Sequence, residues 1–159
     1  MLKFNALGLL TPPENISSDI AEFEEIFVNN IQTQKRRELF DNYIHYTNEL
    51  KKWCGSVKLT QWIDGSFAMK KPEPQDIDLV TFIDFSIAEK SRDDLKDFKY
   101  PLSEIVFGVD AYLVKIYPPG HQLHKLYVSD RIYWLDHFTK TRRNRMGNKQ
   151  FKGFLEIKM

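Results

Sequence analysis

Residues 65–80 read GSFAMKKPEPQDIDLV, and residues 76–85 read DIDLVTFIDF. The second run alternates with a period of two and is apolar on both faces near its middle, which predicts a central β-strand from Asp76 to Phe85. A shorter β-prone run from Val57 leads into Asp64-Gly65-Ser66 and predicts a strand that ends at this turn. The prolines and charges in residues 70–75 predict a surface loop. The stretch therefore predicts two strands that are joined by a turn and a loop.

Other elements follow from periodicity and capping residues on both sides of this stretch. A helix is predicted from about Ser18 to Asn30, with Ser17, Ser18 or Asp19 as its cap and Glu22 three residues after Asp19. A second helix carries an apolar stripe that we expect to face the core, and it stops at Gly55. The stripe consists of Leu39, Tyr43, Tyr46, Leu50 and Trp53.

The second half of the chain predicts further strands and one more helix. Residues 88–100 predict a short helix or an irregular excursion, and residues 106–117 predict a strand that Pro118-Pro119-Gly120 ends. A helix is expected to begin at Ser129 or Asp130 and to run through Phe138, and residues 151–159 predict a terminal strand. Helices and strands thus mix in an α+β class, with a small mixed β-sheet flanked by helices.

Composition predicts one domain that spans residues 1–159. The chain is 42% hydrophobic and 14% aromatic, which is enough for one core. Its formal net charge of +1 predicts no global attraction to nucleic acid or to a membrane. Cys54 is the only cysteine, which excludes an intramolecular disulfide framework and fits a reducing compartment. No apolar stretch is long enough to cross a bilayer, so we expect a cytoplasmic protein without membrane contact.

The pair Asp76 and Asp78 carries the chemical prediction. Residues i and i+2 of a strand point to the same face, so the two carboxylates would stand side by side. Their repulsion is relieved most simply by a divalent cation, and Mg²⁺ prefers a few carboxylates together with waters and phosphate oxygens. Gly65 allows close approach of a phosphate to the backbone, and Ser66 adds a hydroxyl donor. The alternatives are a solvated strand end for the acids and an ordinary turn for Gly65-Ser66.

This pattern of Gly-Ser, a nine-residue spacer and then Asp-hydrophobic-Asp-hydrophobic resembles the signature of the DNA polymerase β-like nucleotidyltransferase superfamily, especially its small single-domain members, the minimal nucleotidyltransferases. The resemblance implies a third carboxylate on a later strand, for which Asp110 is suited. It also implies transfer of a nucleoside monophosphate (NMP) from a nucleoside triphosphate (NTP) to an acceptor hydroxyl. Asp76, Asp78 and Asp110 would hold two Mg²⁺ ions, or Mn²⁺, while Gly65 and Ser66 would bind the triphosphate.

Some charged residues near this pattern have open roles. Asp64 stands where the superfamily usually has a hydrophobic residue, and it is either a structural cap or an unexplained charge beside the triphosphate. Lys70 and Lys71 are either phosphate ligands or solvated charges, and we assign Lys70 to the triphosphate. His121 and His124 lack the partners of a zinc site. Tyr127, Tyr133 and Trp134 are expected in the core, with base stacking as the alternative.

The acceptor is left open by the sequence: it is a protein, an RNA or a small molecule. A basic cluster that includes Arg142, Arg143 and Arg145 is either a solvated face or a grip for an RNA acceptor. Small single-domain relatives are often halves of toxin–antitoxin pairs, which implies a cognate partner. The alternative function is therefore a catalytically silent partner, or an antitoxin, that binds another protein. A pure nucleic-acid-binding module is a third hypothesis, which the clustered carboxylates oppose.

Overall fold

The computed structural model describes all of residues 1–159 and has the mixed α+β architecture that the sequence predicts. Its strands are β1 (Lys3–Phe4), β2 (Leu10–Thr11), β3 (Asn15–Ser18), β4 (Thr60–Asp64), β5 (Asp78–Asp84), β6 (Asp110–Ile116) and β7 (Phe154–Lys158). Its α-helices are α1 (Ile20–Glu24), α2 (Gln34–Cys54), α3 (Phe85–Lys90), α4 (Leu102–Phe107) and α5 (His124–Phe138). None of these helices is both long enough and apolar enough to cross a membrane.

Five strands form the main sheet in the order β3-β7-β4-β5-β6. Strand β4 is antiparallel to both of its neighbours, β7 and β5, while β3 is parallel to β7 and β6 is parallel to β5. Strand β5 therefore lies inside the sheet, as its two apolar faces predict. Strands β1 and β2 form a separate antiparallel pair near the N-terminus.

Each face of the sheet has its own apolar cluster. Leu79 and Ile83 of β5 point into the larger cluster, which the N-terminal helices cover. Val80 and Phe82 of the same strand point to the opposite face, into a smaller cluster that also contains Phe138 of α5. This alternation follows from the two-residue period of a strand, and it places Asp78 on the same face as Val80 and Phe82.

The first two predicted helices are confirmed. Helix α1 continues as a π-helical turn, Glu25–Asn29, and Asp19 caps it by accepting a hydrogen bond from the Glu22 amide at 2.8 Å. Four members of the α2 stripe are buried, so that stripe does face the core, but Trp53 is 42% exposed and lies outside it.

Three boundaries predicted from the sequence are wrong. Residues 106 and 107 belong to helix α4, because Gly108 adopts a left-handed conformation (φ 70°) that ends the helix and delays β6 until Asp110. Helix α5 starts at His124, since the chain enters it directly from the turn at residues 118–121. Strand β5 begins at Asp78, so Asp76 belongs to the preceding loop.

The expected burial of the α5 aromatic residues holds only in part. Tyr127 and Trp134 are half-buried against the smaller cluster, whereas Tyr133 is 61% exposed. A single helix covers this face of the sheet, so one side of α5 has no packing partner within the chain.

Candidate active site

The acidic residues meet at one end of the main sheet. Asp64 is the last residue of β4 and pairs with Asp78, the first residue of β5, which in turn pairs with Asp110, the first residue of β6. Neighbouring strands lie about 4.8 Å apart, so this register places three carboxylates in a row across the sheet end. Asp76 precedes Asp78 in the loop. The structure thus brings Asp110 beside Asp78.

The turn at Gly65 packs directly on Asp78. Gly65 has a φ of 74°, and a Cβ built on it would lie 1.8 Å from Asp78 Oδ2. Only glycine fits this conformation and this contact together. Ser66 follows the turn and faces the same cavity as Asp78. The local sequence therefore sets the carboxylate of Asp78 against a half-buried backbone turn.

The electrostatics of this cluster favour a bound cation. Burial, together with the negative charges of Asp76, Asp64 and Asp110, raises the pKa of Asp78 to about 7. Burial also raises the pKa of Asp110. The Oδ1 atom of Asp110 is buried and has no hydrogen-bond partner. Such an oxygen is costly to desolvate, and a ligand that neutralises the cluster recovers that free energy.

Asp64 has a structural partner that accounts for its charge. Its Oδ1 accepts a hydrogen bond from Lys152 Nζ, and both side chains are almost fully buried. Burial raises the pKa of Asp64 to about 6, against the lowering effect of Lys152. Lys152 Nζ also donates to the Phe138 carbonyl at 3.1 Å. Asp64 therefore ties the end of β4 to the segment between α5 and β7.

A cavity of about 620 Å³ opens above these residues. Asp76, Asp78 and the Gly65-Ser66 turn line it together with a set of cationic residues. The cationic residues that line it are Lys71, Lys140, Arg142, Arg143, Lys149 and Lys152. A substrate in this cavity would therefore meet both carboxylates and basic groups.

A family model described as a family of unknown function, DUF6932, matches residues 2–158. The chain belongs to this family. Neither the curated proteins nor the solved structures gave a match. For this DUF6932 member, an assignment of activity therefore depends on the geometry of the cavity.

The cavity gathers most of the site residues that the sequence predicts. Gly65, Ser66, Asp76 and Asp78 line it, and Asp110 adjoins it through the register of β6 with β5. Lys70 does not face it. The Lys70 ammonium lies 4.6 Å from the centre of the Phe4 ring, because the backbone of Lys70 is held by Gly8 and its side chain turns toward the N-terminal strands. The structure therefore places Lys70 at another pocket, whereas Lys71 lines this cavity.

Arg36 is a positioning residue of the DUF6932 chain that the sequence analysis missed. Its guanidinium is completely buried and donates hydrogen bonds to four backbone carbonyls. These carbonyls belong to Phe27 (3.0 Å), Phe67 (2.9 Å), Met69 (2.6 Å) and Lys71 (2.9 Å). Three of them lie in the loop after the Gly65 turn, so Arg36 fixes that loop to α2. Extending the apolar stripe of α2 back by one turn places Arg36 on the buried face, which is the signal that would have identified it.

The donor atoms of the cluster fit a hard divalent cation. Asp76, Asp78 and Asp110 offer only carboxylate oxygens, and these are the ligands that Mg²⁺ and Mn²⁺ prefer. The structure contains no group of three or more Asp, Glu, His or Cys side chains that is already arranged to bind a metal ion. Mg²⁺ commonly binds through one or two carboxylates, with waters and substrate phosphates as the other ligands. The donor set of this DUF6932 member therefore suits an ion that arrives with a phosphate substrate.

Proposed function

We propose that this protein is a metal-dependent nucleotidyltransferase of the DNA polymerase β-like superfamily, which moves an NMP from an NTP to an acceptor hydroxyl. One observation carries the proposal: Asp78 stands in register with Asp110, and the Gly65 turn packs against its carboxylate. A phosphate-binding turn and a pair of neighbouring carboxylates at one strand end are the components that this chemistry requires. The acceptor is a protein, an RNA or a small molecule.

The residues of the cavity have separate roles in binding the NTP. Asp76, Asp78 and Asp110 would hold two Mg²⁺ or Mn²⁺ ions, which would stabilise charge on the attacking and leaving oxygens. The Gly65 turn lets the backbone approach the triphosphate, and the Ser66 hydroxyl donates to it. Lys71 and Arg142, which also line the cavity, neutralise the charge that develops on pyrophosphate.

The bond changes balance within donor and acceptor. The acceptor oxygen forms a bond to the α-phosphorus, while the bond from that phosphorus to the bridging oxygen of pyrophosphate breaks. Pyrophosphate leaves with the electron pair of that bond. Asp110, whose Oδ1 has no hydrogen-bond partner, accepts the proton of the hydroxyl.

Replacing Asp78 with asparagine separates this proposal from a silent binding partner. We expect Asp78→Asn to lower transfer of label from α-labelled NTPs at least about hundredfold, because the isosteric amide no longer neutralises a cation. The same change removes one charge from a half-buried cluster of like charges and should raise the melting temperature. The assay contains purified protein, Mg²⁺ or Mn²⁺, each labelled NTP and cell extract as the source of acceptor.

The matched control is Asp41→Asn, which changes an exposed aspartate on α2 outside the cavity. It should leave both transfer and melting temperature unchanged. Equal labelling by wild type and Asp78→Asn would overturn the proposal. It would favour the alternative of a catalytically silent partner or antitoxin.

A further inference from the structure

Residues 139–152 form an ordered basic hairpin between α5 and β7. Thr141 and Gln150 form two hydrogen bonds, each 2.9 Å long. The Thr141 amide donates to the Gln150 carbonyl, and the Gln150 amide donates to Thr141 Oγ1. The Lys152 amide donates to the Thr139 carbonyl at 2.9 Å. Asn144 closes the tip by accepting from the amides of Met146 and Asn148. The side chains of this segment are therefore presented on a hydrogen-bonded frame.

The hairpin concentrates positive charge in a chain that is nearly neutral overall. It carries six basic residues, and no acidic residue occurs from position 137 to position 155. The six are Lys140, Arg142, Arg143, Arg145, Lys149 and Lys152. The net charge of the whole chain is only +1, so this surface differs in charge from the rest of the molecule. A fixed patch of positive charge attracts a polyanion even when the net charge of the whole protein is small.

The base of the hairpin is fixed to the candidate active site. Lys152 is only 2% exposed and pairs with Asp64, which is the residue directly before Gly65. A buried ion pair is weak evidence for stability, but it specifies which groups lie together. Here it sets the basic hairpin beside the Gly65 turn. The unusual aspartate at position 64 thus has a positioning role.

Two grooves share the same basic ridge. Lys140, Arg143 and Lys149 line both the active-site cavity and an adjoining groove of about 510 Å³. No carboxylate lines the second groove, although Lys140 forms an exposed ion pair with Asp136 of α5. Phe151, which is 68% exposed, forms part of the lining. The two grooves together extend beyond what one nucleotide fills. Basic groups along a groove with an exposed aromatic ring are the features that hold single-stranded nucleic acid.

We propose that the basic hairpin is the binding surface for the acceptor, and that this acceptor is a single-stranded RNA. Lys140, Arg143 and Lys149 contact its phosphates, a base stacks on Phe151, and its terminal hydroxyl reaches the carboxylates of the cavity. The inference rests on the proposed function, because it assigns the acceptor of that reaction. An acidic protein fits less well, since it offers no base to stack on Phe151.

The test measures binding of a fluorescent oligouridylate of about 12 nucleotides by anisotropy over a range of salt concentrations. A triple variant changes Lys140, Arg143 and Lys149 to glutamine, and a second variant is Phe151→Ala. We expect the triple variant to bind about hundredfold more weakly, with a salt slope smaller by about 2. Phe151→Ala should weaken binding at least about fivefold, since it removes one stacked base.

The charge-matched control changes Lys3, Lys58 and Lys99, three exposed lysines outside both grooves, to glutamine. Its RNA affinity should equal that of wild type. Three results would overturn the inference: no RNA binding by wild type at low salt, an equal loss in this control, or unchanged RNA affinity in both Phe151→Ala and the triple variant. Tighter binding of polyglutamate than of RNA would also overturn it, in favour of an acidic protein acceptor.

Nucleotide binding and transfer distinguish this inference from the proposed function. A non-hydrolysable NTP should bind Phe151→Ala as tightly as wild type. If RNA binds as expected but wild type neither binds NTP nor extends the RNA by one nucleotide, the hairpin is supported as an RNA surface and the proposed function fails. If transfer depends on Asp78 while RNA neither binds nor accepts label, the function stands and the inference is wrong.

Discussion

Gly65→Ala is expected to lower nucleotidyl transfer at least about hundredfold while the protein still folds. A methyl group at this position would lie 1.8 Å from Asp78 Oδ2, so either the turn or the carboxylate has to move. A displacement of about 1 Å at a reacting centre is enough for a loss of this size. The left-handed backbone conformation adds a stability cost of roughly 1–2 kcal/mol. Transfer of labelled NMP and urea denaturation measure the two effects separately.

Gly55→Ala is the matched control for this substitution. Gly55 also has a positive φ, 61°, but a Cβ built on it meets no atom within 4 Å. Its replacement should therefore carry a backbone cost of its own, with no effect on transfer. If Gly65→Ala and Gly55→Ala retain equal activity, the contact between the Gly65 turn and Asp78 has no catalytic importance.

Arg36→Met is expected to reduce the free energy of unfolding by about 4 kcal/mol or more. Methionine fills part of the space but leaves the carbonyls of residues 27, 67, 69 and 71 without their donor. Burial already lowers the pKa of Arg36 to about 10, so the guanidinium stays charged at neutral pH and its bonds are charge-assisted. Arg36→Lys should recover little, because one ammonium cannot reach four carbonyls.

The adjacent Arg37→Met is the control. Arg37 pairs with Glu24 at 2.5 Å, but both side chains are substantially exposed, 43% and 36%. An exposed pair contributes less than about 1 kcal/mol. Denaturant midpoints with unchanged slopes would give both values. Equal losses for Arg36→Met and Arg37→Met would show that the buried guanidinium does not hold the loop.

Local patterns in the sequence are sufficient to predict a helix or a strand where one interaction dominates its stability. The two-residue period of β5 and the apolar stripe of α2 predict buried faces, because burial of those faces is what stabilises each element. The register that joins Asp78 to Asp110 is not readable from local patterns. It depends on parallel pairing across the crossover formed by residues 85–109. The placement of Asp110 beside Asp78 therefore came from the family resemblance and not from spacing.

Contacts between distant segments account for the features that the sequence analysis missed. Strand β3 is four residues long and pairs with β7 at the other end of the chain, so no local signal marks it. The sequence alone does not distinguish Lys70 from Lys71. The hydrogen bond from the Lys70 amide to the Gly8 carbonyl decides which of the two lysines faces the cavity. The basic segment after α5 is similar: its charges are visible in the sequence, but its hairpin and the Lys152–Asp64 pair are tertiary.

A crystal structure with Mn²⁺ and a non-hydrolysable NTP tests the central claim most directly, because the anomalous signal of manganese locates the ion independently of the fold. We predict an ion within coordination distance, about 2.0–2.2 Å, of carboxylate oxygens of Asp78 and Asp110. The triphosphate should lie against Gly65 and Ser66. An NTP and its ion bound elsewhere, or no ion at these carboxylates under saturating Mn²⁺ and NTP, would contradict the account.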